Sequence, residues 1–287
     1  MDRVETRELA YFLAVAQELH FGRAAARLGI AQPPLSRAIK QLERRLGVVL
    51  LDRDSRGVAL TPAGEVLARE AVVALDAVTA AARRTRRAGL PAAPRLVVVM
   101  KPGGDAGLLR EILAAYEALP EAVDVEVMLT GVAERARLLR DGTADVAFLH
   151  DPYEDLTGFD TEPLVVEGAV AVLPSGHALA GRSDLRMSDL DGEPLPRWRG
   201  VPGSGRPDAP EVGDPSEVMQ LIALGRMAAV VPESARLHLR RDLVCVPVVD
   251  AAPVTVLLAW PENARSPALA AFVRTAAGCA QAQSRSA

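Results

Sequence analysis

Apolar residues recur at helical spacing from the start of the chain. Leu9, Phe12, Leu13, Ala16 and Leu19 mark one face of a helix over residues 6–19. A shorter helix is expected over 23–28, with Ala24, Ala25 and Leu28 on its apolar face and Gly29 ending it. After a three-residue break, Pro33 and Pro34 suit a first helical turn, where an amide would lack a partner anyway. Leu35, Ile39, Leu42 and Leu46 then repeat up to Gly47 and predict a helix over 32–46. Two helices joined by a tight glycine turn have the helix-turn-helix layout. Strand-like runs at 48–51 and 57–60 bracket residues 52–56 and predict a hairpin wing. Thr61 and Pro62 supply the cap and first-turn proline of a long helix reaching about residue 87. That helix is apolar on two sides, Leu67, Ala71, Ala74, Val78 and Ala81 on one and Val66, Val73, Ala77 and Ala80 on the other. Two apolar sides call for two partners, its own wing domain and a second subunit.

The stretch 89–94, Gly-Leu-Pro-Ala-Ala-Pro, is the clearest linker in the chain. Beyond it the rhythm becomes strand 96–100, helix 105–119, strand 123–129, helix 132–141 and strand 145–149, the signature of a parallel sheet covered by helices. A second α/β set follows, with strands at 165–173, 228–231, 243–248 and 254–260 and a helix at 217–225, before a final helix at 267–280. Residues 192–215 are rich in Pro and Gly and predict little regular structure.

Composition changes this picture in one respect. The chain is 49% hydrophobic with a net charge of −4, which argues weakly against a nucleic-acid partner. The charge is unevenly spread, however: residues 1–90 carry 15 Lys+Arg against 10 Asp+Glu, and the remainder 18 against 27. A basic N-terminal block suited to phosphates is joined to an acidic body. The clustered Arg83, Arg84, Arg86 and Arg87 fit better as cations complementing a helix C-terminus than as DNA contacts. Cys245 and Cys279 provide neither a disulfide framework nor a metal cluster. With no signal-peptide order at the N-terminus and no apolar run of membrane length, the expectation is a soluble cytoplasmic protein with no membrane partner.

The segment from His20 to Glu65 contains F-G-R-A-A, Q-P-P-L-S-R, Q-L-E, L-G-V and, after the wing, L-T-P-A-G. In this order the motifs closely resemble the DNA-binding region of LysR-type transcriptional regulators, and the α/β body is similar to that family's effector domain. The resemblance implies an N-terminal winged helix-turn-helix, a long linker helix, and an α/β effector domain of two periplasmic-binding-protein-like subdomains. The boundaries expected are 1–61 for the DNA-binding domain, 62–88 for the linker helix and 89–94 for the hinge. Subdomain I would comprise 95–162 with 262–287, and subdomain II 163–261, the latter shortened between Pro196 and Val212.

An α-helix fits the major groove, where residues near its N-terminus face base edges. Gln32 suits adenine, Arg37 guanine or phosphate, and Ser36 either, while Pro33 and Pro34 suit thymine methyls and Lys40 extends the same face. Arg53 and Arg56 in the wing suit phosphates or the minor groove. Ala31 stands where family members often carry a capping Ser or Thr, at a cost of about 1 kcal/mol.

The resemblance also implies a small-molecule effector between the two subdomains. The loop Lys101-Pro102-Gly103-Gly104-Asp105 joins a strand to a helix, so its amides can face an anion, and Lys101 is one of only two lysines. The other reading is a solvent-exposed lysine beside an ordinary turn. Thr130, Arg197, Trp198 and Ser216 match cleft-facing positions of the family; Trp198 could serve stacking or plain packing, and Ser216 could also cap the helix after it. His150 is placed near the cleft, and His20 is expected to pack or cap. No nucleophile elbow, Walker loop, dinucleotide fingerprint or zinc motif is present, so neither enzymatic activity nor a cofactor is expected. The expected partners are pseudo-palindromic double-stranded DNA, a second copy of the chain in a homodimer or homotetramer, and an effector, with RNA polymerase a further candidate. Two rivals are a ligand-independent regulator whose C-terminal domain only assembles subunits, and a solute-binding protein.

Overall fold

Three helices, α1 (Thr6–Glu18), α2 (Phe21–Arg27) and α3 (Gln32–Leu46), bury Phe12, Val15, Leu35, Ile39 and Leu42 against one another in the computed structural model. It describes residues 4–54, 57–89, 94–199, 205 and 208–286. The chain divides into two compact units, Met1–Gly89 with Arg140–Gly142, and Leu90–Leu139 with Thr143–Ala287. Helix α2 begins two residues earlier than its apolar pattern suggests because His20 caps it. The His20 Nδ1 accepts from the amides of Gly22 and Arg23 at 3.0 and 3.2 Å. Helix α3 has the predicted bounds, starts on Ala31 without a side-chain cap, and ends on Gly47 in the left-handed conformation.

The wing pairs β1 (Leu51–Asp54) with β2 (Gly57–Leu60) antiparallel. Its first strand lies three residues later than expected, and Val48 and Val49 remain exposed. The cause is Glu43: its Oε1 accepts from the amides of Leu50 and Leu51 at 3.0 and 3.3 Å, so the chain is held to α3 until Leu51. Thr61 then caps α4 (Pro62–Ala88), accepting from the Gly64 amide at 3.0 Å and donating to the Val49 carbonyl at 2.8 Å. The start of α4 adds Leu67 and Ala68 to the helical core, whereas Val66 and Val73, seven residues apart on one stripe, are exposed.

In the second unit, β3 (Arg95–Met100) is parallel to both β4 (Asp124–Leu129) and β5 (Val146–Asp151). They belong to a five-stranded sheet, order β4-β3-β5-β12-β6, completed by β6 (Phe159–Glu167) and by β12 (Val254–Pro261), which runs antiparallel to both its neighbours. Helices α5 (Leu109–Glu117) and α8 (Pro267–Ser286) contribute Ile112, Tyr116 and Phe272 to the core on one face; α6 (Arg135–Arg140) contributes Leu138 and Leu139 on the other.

The expected single strand at 165–173 is two strands. The chain turns at Gly168, whose carbonyl accepts from the Glu233 amide at 3.0 Å, and enters a different sheet as β7 (Ala169–Pro174). That sheet has the order β10-β7-β11, formed with β10 (Ala229–Pro232) and β11 (Leu243–Val248), and it is antiparallel throughout. Helix α7 (Pro215–Ala223) covers it with Val218 and Ile222. Within the stretch expected to be irregular, β8 (Arg197–Trp198) and β9 (Glu211–Val212) form a short parallel pair.

Other predicted helices change length for local reasons. Helix α5 starts at Leu109 rather than 105, because Gly103 and Gly107 take left-handed backbones and the Asp105 carboxylate accepts from the Leu109 amide at 3.0 Å. Asp214, not Ser216, caps α7, accepting from the amides of Ser216 and Glu217 at 2.7 and 3.0 Å.

The sharpest packing constraint lies in the first unit, where a methyl group on Gly64 would sit 2.1 Å from the Leu50 carbonyl oxygen. The obstacle is backbone and cannot rotate away. Gly64→Ala is expected to cost the DNA-binding unit about 2 kcal/mol or more, read as a lower denaturant midpoint; an unchanged midpoint contradicts the close approach.

Candidate nucleic-acid interface and ligand cleft

Helix α3 is anchored on one side by Leu35, Ile39 and Leu42, all fully buried. A helix fixed so firmly must present its opposite side outward. Gln32, Pro33 and Pro34 of its first turn are exposed, as are Arg37 and Lys40, while Ser36 is half-buried at the margin of that face. Gln41 and Arg44 extend the exposed surface, and sequence reasoning did not select them. The 3.6-residue period places Arg44 seven residues beyond Arg37 on one stripe, a signal that was available.

Not every arginine of the unit is free for a ligand. Arg45 is tied to Glu8 of α1 by two bonds of 2.7 and 2.9 Å. Arg23 and Arg27 both lie against Glu18, at 3.3 and 3.5 Å. In the wing, Arg53 bonds Glu43 at 3.1 Å. Arg56 lies outside the described residues.

In the second unit the two sheets enclose a cavity of about 1830 Å³. Pockets for single small ligands run about 300–1,000 Å³, so the walls do not by themselves dictate ligand size. Of the residues singled out from sequence, Lys101, Gly103, His150, Trp198 and Ser216 line the cavity. Gly104, Thr130 and Arg197 are not among its lining residues. The Gly104 amide donates to the Lys101 carbonyl at 3.0 Å, the Thr130 hydroxyl donates to Glu134, and Arg197 bonds Glu211 across β8 and β9 at 2.6 Å. Gly103 has a steric role as well, since a methyl group there would stand 3.0 Å from the His238 ring.

The floor of the cleft holds a charged cluster that sequence reasoning largely missed. Arg135, 1% exposed, donates to the Phe148 carbonyl at 2.9 Å and lies 3.0 Å from Glu154 Oε1 in an ion pair. Its Nη1 is also 3.2 Å from His150 Nδ1, which must accept there because a guanidinium only donates. Burial, reinforced by Lys101 and Arg135, holds the His150 imidazole well below its usual pKa, so it is neutral at physiological pH. The other Glu154 oxygen accepts from the His150 amide at 2.8 Å. Burial raises the pKa of Glu154, against the pull of Arg135. Nearby, burial also raises that of Glu167, whose carboxylate accepts from the Ser234 hydroxyl at 2.8 Å.

Lys101 differs from these groups. Its ammonium makes no hydrogen bond or ion pair with a described residue, although the Glu154 and Glu167 charges act on it. Burial and the neighbouring Arg135 lower its ammonium pKa from 10.5 to about 8. The Arg135 Nε is likewise buried without an acceptor among the described residues. Both donors belong to residues that line the cavity. Arg135 and Glu154 were hard to find in the sequence, because a lone Arg in a helix and a lone Glu in a loop read as ordinary surface residues.

A helix-turn-helix with an exposed polar recognition face, joined to a two-lobed α/β unit enclosing a cleft, defines a DNA-binding regulator with a ligand domain. A family model described as "Bacterial regulatory helix-turn-helix protein, lysR family" matches residues 6–65, and one described as "LysR substrate binding domain" matches residues 89–279. The chain is 30% identical over 289 residues to YnfL, an uncharacterized HTH-type transcriptional regulator of Escherichia coli (strain K12), covering 94% of this chain and 96% of that one. It is also 30% identical over 291 residues to the Hca operon transcriptional activator HcaR of the same organism, again covering 94% and 96%. Its fold is similar to a solved structure of a cysteine mutant of Corynebacterium glutamicum OxyR, with a TM-score of 0.54 and 29% identity over 99% of this chain and 94% of that one. The chain belongs to the LysR family: it is a DNA-binding transcriptional regulator with an effector-binding domain, not an enzyme. No helix among the described residues is long and apolar enough to cross a membrane.

Removing one member of the buried pair exposes its cost. Arg135→Met leaves Glu154 buried and uncompensated and is expected to destabilise the effector unit by about 3–5 kcal/mol. Replacing both, as Arg135→Met with Glu154→Leu, should recover most of that loss. Urea unfolding of the three proteins measures it, and a harmless single variant would contradict the pairing.

Proposed function

We propose that this regulator reads DNA with the exposed face of α3 and is controlled by an anion held at Lys101. On the DNA side, Gln32, Pro33, Pro34, Ser36 and Arg37 sit where a helix in the major groove meets base edges, with Lys40 extending the contact along the groove. The exposed Val66 and Val73 stripe of α4 suits a second copy of the chain, which would place two recognition helices on the half-sites of a pseudo-palindrome. RNA polymerase is a further partner in this reading, and action in the cytoplasm follows from it.

The observation that carries the effector reading is the unpaired Lys101 in the cleft. Arg135 is ion-paired with Glu154, His150 is neutral and Glu167 accepts from Ser234, while the Lys101 ammonium, in the field of Glu154 and Glu167, makes no hydrogen bond or ion pair with a described residue. The three ammonium donors suit a ligand carboxylate. A dianion would bring its second charge toward Glu154 or Glu167. Trp198 and the ring of Pro102 line the same cavity and suit an apolar body attached to that charge.

Arg37→Ala is expected to weaken specific DNA binding on the order of 10- to 100-fold, and an unchanged footprint would remove α3 from the interface. For the cleft, calorimetry should show benzoate binding more tightly than its uncharged isostere benzamide, with the preference lost in Lys101→Met. Equal binding of the two would count against an anion site.

The pH dependence has a definite sign. In the free protein Lys101 loses its proton near pH 8, whereas a bound carboxylate keeps it protonated to higher pH. Binding above pH 8 therefore takes up a proton, and affinity is expected to be level below pH 8 and to fall by up to about tenfold per unit above it. Calorimetry in buffers of different ionisation enthalpy detects this uptake directly.

A further inference from the structure

Arg53, the wing cation whose sequence position suggests phosphate, is engaged from two sides. Its guanidinium donates to Glu43 Oε2 at 3.1 Å and stands 4.7 Å from the centre of the Phe21 ring. The other oxygen of Glu43 accepts from the amides of Leu50 and Leu51. One carboxylate of α3 thus holds three donors from the start of the wing, and α2 supplies the aromatic face. The side chains of Glu43 and Arg53 are only 15% and 27% exposed, so both are largely withdrawn from solvent.

We infer that Glu43 and Arg53 are positioning residues, which lock the wing to the recognition helix so that the two meet DNA as one rigid piece. Three contrasts support this. Arg37, Lys40 and Arg44 are exposed and make no ion pair with a described residue. A guanidinium that left Glu43 for a phosphate would strand a half-buried carboxylate beside the polyanion, which costs more than the new contact supplies. Arg53 would also forfeit the Phe21 face, a second attraction that no phosphate replaces. The wing's placement therefore depends on α2 and α3 and not on DNA.

This inference rests on α3 being the reading helix, and the two can fail separately. Each phosphate contact adds about one unit to the slope of log affinity against log salt. The full-length protein and its variants would be titrated over a range of salt with a duplex recovered by the unmodified protein from a random-sequence pool. Lys40→Met serves as the standard for losing a DNA-contacting cation and should lower the slope by about one. Arg53→Met should weaken binding by roughly three- to tenfold with an unchanged slope. Glu43→Gln, which keeps an acceptor for the Leu50 and Leu51 amides but loses the charge, should weaken binding by a similar factor with the slope again unchanged. The double variant should be no weaker than the weaker single, because both lose one shared interaction.

If Arg53→Met instead lowers the slope by about one, Arg53 is a phosphate contact and the inference is overturned. Full additivity of the two substitutions overturns it as well. If Arg37→Ala leaves binding intact, it is the reading of α3 that has failed. Hydroxyl-radical footprints supply an independent readout: both positioning variants should lose protection where the wing lies and keep it under α3.

Discussion

The peptide of Leu50 is the junction on which the DNA-reading unit depends. Its amide is held by Glu43 from α3, and its carbonyl accepts from the Thr61 amide at 3.0 Å. The same carbonyl is approached so closely by Gly64 that no side chain fits there. Recognition helix, wing and linker helix therefore converge on one backbone unit, 1% exposed and without rotational freedom to spare. The polar demands of this buried residue are met by Glu43 of α3 and by Thr61 at the start of α4, and Gly64 packs against the same carbonyl, which is why those elements cannot shift independently.

The effector unit solves a different problem, that of enclosing charge. Arg135 is ion-paired with Glu154, Glu167 accepts a hydrogen bond from Ser234, and His150 is kept neutral by its surroundings. Paired buried charges tolerate desolvation only when each has a partner with good geometry. Against that background the Lys101 ammonium stands out, with no hydrogen bond or ion pair to a described residue.

The helices were legible wherever one strong apolar period coincided with punctuation. The bounds of α3 follow from Leu35, Ile39 and Leu42 between the proline pair and Gly47, and the linker helix from Thr61 and Pro62. The wing strand slid by three residues because a side chain distant in sequence, Glu43, holds the Leu50 and Leu51 amides, and periodicity does not register such a bond. The strand at 165–173 read as continuous because β6 and β7 are both apolar, and only tertiary pairing shows that Gly168 sends them into different sheets. Ser216 suited a cap by residue type, but Asp214 stood one proline earlier and took the role. In the cleft, Lys101 stood out by rarity. Its neighbours Arg135 and Glu154 did not, because burial of a charged residue is a property of packing and not of local sequence.

The lack of fixed bonds at the Lys101 side chain bears on how such a cleft diversifies. Arg135, Glu154 and His150 hold one another by hydrogen bonds and an ion pair, and the Lys101 side chain adds no hydrogen bond or ion pair with a described residue. A neutral polar residue at position 101 would break no such contact, so the charge presented there can change by a single substitution.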